Sequence, residues 1–154
     1  MSVEQTNLGA RIDADLKQAM RSQDKIALLA LRAVKTALTE ATKMGADHSL
    51  TDEQVMAVIQ REAKRRREAA AEYERVGAMA PAEQERAELA VFEKYLPRQL
   101  SEAEVEALAR TVIAETGAIT PRDLNKVMPV MMARVAGTAD GKVVSQIVRR
   151  LLDA

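Results

Sequence analysis

The chain has no cysteine and no tryptophan, and only one histidine, one phenylalanine and two tyrosines among its 154 residues. Without thiols it has neither disulfides nor a thiolate nucleophile. One histidine leaves a zinc site short of its ordinary ligands, so no metal site is expected. With so few aromatics, the interior must be aliphatic. No stretch reaches the roughly 18–20 apolar residues that a membrane span requires, and Met1–Ala10 lacks a basic segment followed by an apolar block. These absences predict a soluble, cytoplasmic protein with no membrane partner. Charge of one sign is missing too: 23 basic residues face 23 acidic ones. A general DNA-coating protein needs a large cationic surplus to displace counterions, so that class is excluded. The sequence also has no glycine-rich phosphate loop, no paired-histidine motif and no nucleophile with an accompanying base. Neither a cofactor nor a catalytic residue is expected.

What is present is material for helices. Ala, Glu, Arg and Leu dominate, all strong helix formers. The spacing predicts an amphipathic helix from about Thr6 to Arg21, with Leu8, Ile12, Leu16 and Ala19 or Met20 on its apolar stripe. A second helix is predicted over about Asp24–Met44, with Ile26, Leu29, Ala30, Ala33, Val34, Ala37, Leu38 and Ala41 inward, Leu28 and Leu31 widening that face, and Gly45 as terminator. Thr51 to Gln54 forms a capping box, and Leu50 with Val55 a hydrophobic staple, so a third helix starts there and runs to about Val76. A fourth is predicted from Pro81 to Leu96, where Leu96-Pro97 ends it. Ser101 to Glu104 is a second capping box, opening a helix that stops at Gly117. Thr120-Pro121 opens the next helix, in which Pro129 should cause a kink or break. The last spans about Asp140–Leu152 and buries Val143 or Val144, Ile147, Val148 and Leu151. The predicted fold is all-α, with an N-terminal bundle of about four helices over residues 1–97 and a C-terminal three-helix domain over 98–154.

Two features carry functional potential. Lys64, Arg65, Arg66 and Arg67 are consecutive, and successive helical residues point about 100° apart, so these side chains wrap the helix instead of lining one face. They form either a solvated charged surface whose stems cover apolar neighbours or a docking or nucleic-acid patch. From Pro121 onward, Arg122, Lys126, Arg134, Lys142, Arg149 and Arg150 outweigh Asp123, Asp140 and Asp153. Part of that excess suits a helix C-terminus, where cations oppose the dipole. Within the tail, the turn containing Gly137, Asp140 and Gly141 leads into a helix whose first donors can hold a phosphate, unless Asp140 caps them itself. His48, in the Gly45–Ser49 loop, reads as a solvated residue. The Met128, Met131 and Met132 group is either core or an adaptable contact surface.

Several blocks, in order, resemble the YqeY-like proteins of the GatB/YqeY group. They are Gln60 to Glu68, Tyr95-Leu96-Pro97-Arg98-Gln99-Leu100-Ser101-Glu102, Lys126-Val127-Met128 and Gly137-Thr138-Ala139-Asp140-Gly141-Lys142. The chain departs from the family pattern at Asn125 and Pro129, where Gly is frequent, and at Thr138, where a basic residue is. The resemblance implies a two-part helical fold whose C-terminal part is similar to the tail domain of the B subunit of the glutamine-dependent aspartyl/glutamyl-tRNA amidotransferase. That tail domain helps engage tRNA, while activation and glutamine hydrolysis belong to other domains and subunits. The expected function is a non-catalytic accessory that binds tRNA or a tRNA-processing complex, with Lys126, Arg134, Lys142, Arg149 and Arg150 as RNA-facing residues. The alternatives are a protein–protein adaptor using the rival patch Lys64–Arg67, or, by family label, a carbon–nitrogen ligase with glutamine as amide donor.

Overall fold

The computed structural model describes residues 7–44 and 49–154, so the expectations for Thr6, Gly45 and His48 lie outside the described residues. All regular structure among the described residues is helical. The chain divides into two compact units, Met1–Leu96 and Pro97–Ala154.

The first unit holds α1 (Leu8–Ser22), α2 (Lys25–Met44), α3 (Asp52–Arg75) and α4 (Met79–Glu93). Asn7 caps α1, its side-chain oxygen accepting from the Ala10 amide at 3.0 Å. At the start of α3 the Thr51 capping box closes in both directions: Thr51 Oγ1 accepts from the Gln54 amide at 3.2 Å, and Gln54 Oε1 from the Thr51 amide at 2.9 Å. Two orphan donors of the first turn are thereby satisfied. The core is aliphatic, with Ile12, Leu31, Val34 and Ile59 fully buried around the single phenylalanine, Phe92. On α1 it is Ala19 that turns inward, while Met20 is half exposed.

Three details depart from the sequence reading. Leu29, expected inward, is 51% exposed, whereas Leu31 is buried; the core-facing stripe of α2 is set by Ala30, Leu31, Val34 and Leu38. Next, α4 begins at Met79, so Pro81 lies inside the first turn, where its missing N–H breaks no intrahelical bond. In the second unit, the helix Leu124–Val135 runs on through Pro129, so of the expected kink or break the break does not occur. Pro129 sits on the exposed side, as does Asn125 one turn earlier, where water can satisfy the carbonyl that loses its donor.

The second unit holds α5 (Glu102–Thr116), a 3₁₀ turn (Pro121–Asp123), α6 (Leu124–Val135) and α7 (Gly141–Leu152). Its core is mostly valine: Val105, Val112, Val127, Val135, Val144 and Val148 are buried with Ala109, Met131, Ile147 and Leu152. Short branched side chains let three helices approach closely without an aromatic filler. α5 is bounded by the Ser101 capping box and by Gly117, whose φ of +70° is the left-handed conformation that favours glycine at a helix end.

Candidate nucleic-acid interface

The tail cations stand on α6 and α7. Asp140 caps α7: its carboxylate accepts from the Lys142 amide at 2.9 Å, so the chain's own acid occupies the helix cap. The turn before it is tight. Ala136 and Gly137 both have positive φ, and the Thr138 amide donates to the Val135 carbonyl at 2.8 Å. The Thr138 hydroxyl donates to the same carbonyl. Outward-turned carbonyls are then taken by a segment distant in sequence: the Leu100 amide donates to Thr138 O at 2.8 Å and Gln99 Nε2 to Gly137 O at 3.2 Å. The Pro97–Leu100 segment and the turn that holds Gly137 and Thr138, both between helices, are therefore one stitched structure. Gln99 was not singled out by sequence reasoning, because nothing local marks a bond to a residue 38 positions away.

Carboxylates sort the candidate cations. Lys126 is 3.6 Å from Asp123, Arg134 pairs with Glu115, and Arg150 reaches Glu106 at 2.9 Å. Asp123 also accepts from the Ile119 amide at 2.8 Å and the Thr120 amide at 3.2 Å, and these bonds hold its carboxyl below the usual range. Glu106 is lowered as well, first by its bond from Arg110 and then by Arg150. Lys142 and Arg149 are exposed and form no ion pair with a described residue. They lie seven positions apart on α7, hence on one face about 10 Å from each other. Gln146 continues that exposed face between them.

The rival patch does not stay together. Lys64 and Arg65 are exposed, and Arg67 is half-buried. Arg66 turns inward beneath α4, with Glu62 Oε2 at 3.7 Å, Glu85 Oε2 at 3.6 Å and Glu88 Oε1 at 3.8 Å. Its guanidinium also stands 5.5 Å from the centre of the Phe92 ring. Glu62 and Glu88 are themselves buried, so this is an internal charge cluster. The sequence carried a signal for it: Glu62 and Arg66 fall in phase with Val55, Ile59, Ala63 and Ala70, the buried stripe of α3. Of the methionines, Met131 is fully buried, Met128 packs against the valine core and Met132 is partly exposed.

A second polar network surrounds Tyr95, whose hydroxyl donates to Asp15 while Arg11 lies 4.6 Å over its ring. Burial, with the Asp15 bond, pushes the phenol well above its ordinary range. Among the described residues no group of three or more His, Cys, Asp or Glu side chains is placed to hold a metal ion. No described helix is long and apolar enough to cross a membrane.

A family profile described as Yqey-like protein matches residues 9–152, which takes in both units and each block described above. The chain belongs to the YqeY-like family. It is also similar to altered inheritance of mitochondria protein 41, mitochondrial, of Pyrenophora tritici-repentis. The two are 30% identical over 150 residues, covering 94% of this chain and 80% of the relative. The stitched Gln99–Gly137 contact and the α7 cap thus lie within the span that defines this YqeY-like protein.

Proposed function

We propose that this YqeY-like protein is a non-catalytic accessory that engages tRNA, or a tRNA-processing complex, through the exposed face of α7. The observation that supports this reading most directly is the pair Lys142 and Arg149, two turns apart on one face and not neutralised by any described carboxylate. Lys126, Arg134 and Arg150 already have acidic partners, so their charge is partly spent within the chain. Membership of the YqeY-like family, with its relation to the amidotransferase B-subunit tail, points the same way. Two phosphate contacts on a helix face give weak, shape-led binding with little sequence preference.

The test is a filter-binding titration of a folded tRNA transcript with wild type, Lys142→Ala/Arg149→Ala and Lys126→Ala at low and moderate salt. The double variant is expected to bind more weakly, with the slope of log affinity against log salt reduced by about 1.5. Lys126→Ala should change binding less. Helicity and melting temperature should stay close to wild type, since exposed charges contribute little to folding. Equal binding by wild type and the double variant would refute the assignment.

A further inference from the structure

Between α2 and α3 runs an open groove of about 720 Å³ that the RNA reading does not use. From α2 it is lined by Ala33, Thr36, Ala37, Glu40, Ala41 and Met44, a series spaced three and four apart that covers one face of three helical turns. The α3 wall presents Val58, Arg61, Glu62, Arg65 and Arg66. The alanines keep the floor low, and Met44 at its end is 89% exposed, an unbranched apolar side chain with no cover.

The two walls differ in charge. On α2, Glu40 is answered within its own helix by Lys43 at 3.2 Å. On α3, the carboxylate of Glu62 is shared between Arg65 at 3.3 Å and Arg66 at 3.7 Å. Arg61 is exposed and pairs with no described residue, and the Arg65 side chain remains 72% exposed. The α3 wall is therefore positive, with two arginine side chains one helical turn apart, beside an α2 wall of alanines, Thr36 and Met44 on which Glu40 is balanced by Lys43.

We propose that this groove docks an amphipathic helix of a partner protein, with a ridge of small or aliphatic side chains on the alanine floor and two carboxylates one turn apart facing Arg61 and Arg65. An α-helix supplies that pattern from residues i and i+4. A nucleic-acid backbone fits less well, because it would lay phosphates over an apolar floor with cations on one side only. The inference does not rest on the α7 reading, since it uses no residue of the second unit.

The probe is a synthetic, fluorescently labelled helical peptide with an Ala/Leu ridge and two Glu residues four apart on one flank. Its control carries Lys at those two positions. Anisotropy titrations of the full chain at low salt should show the Glu peptide binding at least about fivefold more tightly than the Lys peptide. Arg61→Glu should remove or reverse that preference, and Met44→Ala should weaken both peptides. Both positions are exposed, so neither change threatens folding, which circular dichroism verifies. Amide NMR shifts on adding the Glu peptide should cluster in residues 33–44 and 58–66 and persist in Lys142→Ala/Arg149→Ala. Equal binding of the two peptides, indifference to Arg61→Glu, or shifts confined to other residues would overturn the proposal. Displacement of the peptide from those same amides by a tRNA transcript would reassign the groove to RNA.

Discussion

Arg66 holds three carboxylates, none of whose side chains is more than 21% exposed, yet its Nε–H donates no hydrogen bond. Such an arrangement adds little net stability, because desolvation offsets most of the attraction, but removing its one central cation leaves like charges buried together. Arg66→Ala is therefore expected to cost about 3 kcal/mol, while Arg66→Met with Glu62→Gln and Glu88→Gln should recover much of the loss. Urea denaturation of the three proteins decides it, and a loss below about 1 kcal/mol for Arg66→Ala would contradict the cluster's role. Glu104 shows a different situation, a charge at the surface that is partly exposed. A bidentate contact from Arg98, at 3.0 and 2.8 Å, followed by the Ser101 amide, lowers its carboxyl from 4.5 to about 2. Because the folded value lies below the unfolded one, its stabilising contribution is complete above pH 4.5 and disappears as pH falls from there through 2. The side-chain carboxyl ¹³C resonance of Glu104 should titrate near the lower value, and Arg98→Ala should move the midpoint upward. Glu104→Gln keeps the capping geometry, since glutamine fills that position in the Thr51 box, yet should flatten the stability profile over this acid interval.

Helix ends are where this sequence speaks most clearly, and α5 tests both kinds of end. Ser101→Ala removes the side-chain acceptor of the capping box and should cost about 1 kcal/mol. Gly117→Ala meets no atom within 4 Å, so its penalty, also about 1 kcal/mol, arises only from forcing an L-residue to φ +70°. The two sites sit at opposite ends of one helix, so the double variant should lose the sum, and strong non-additivity in thermal melts would show that the ends are coupled. Both boxes and the Gly117 stop were legible because a cap is satisfied by residues three or four positions away. Leu29 and Pro129 were not, since both lie on regular helical patterns and only neighbouring helices decide which side faces water. The candidate cations were visible as residue types. Which of them are already paired was hidden, because Glu115 and Glu106 reach Arg134 and Arg150 from another helix, 19 and 44 positions away. Gln99 bonding to Gly137 was invisible for the same reason.

Each unit has its own closed hydrophobic cluster: Ile12, Leu31, Ile59 and Phe92 belong to one, and Val112, Val127, Met131 and Val148 to the other. All three aromatic residues, Tyr73, Phe92 and Tyr95, fall before Pro97, so the second cluster is formed from small aliphatic groups alone. A unit of roughly 60 residues lies near the lower size limit for folding without disulfides or metals, so its caps and the Leu100–Thr138 bond matter more than they would in a larger domain. A fragment comprising residues 97–154 keeps that bond, the Gln99 contacts, both ends of α5 and the complete valine cluster. It should therefore fold alone as a helical, cooperatively melting species. A fragment beginning at Ser101 loses Gln99 and Leu100, the two residues that fasten the Gly137 turn, and should be less stable by about 1–3 kcal/mol. Circular dichroism melts of the two fragments, with limited proteolysis of the full chain, distinguish the outcomes. Cleavage should concentrate in the helix-free stretches at residues 94–97 or 76–78, where the backbone opens most readily. An unfolded 97–154 fragment would show that the valine cluster needs the rest of the chain, and equal stability of both fragments would show that the two sequence blocks joined at Gln99 and Gly137 are not what holds the turn.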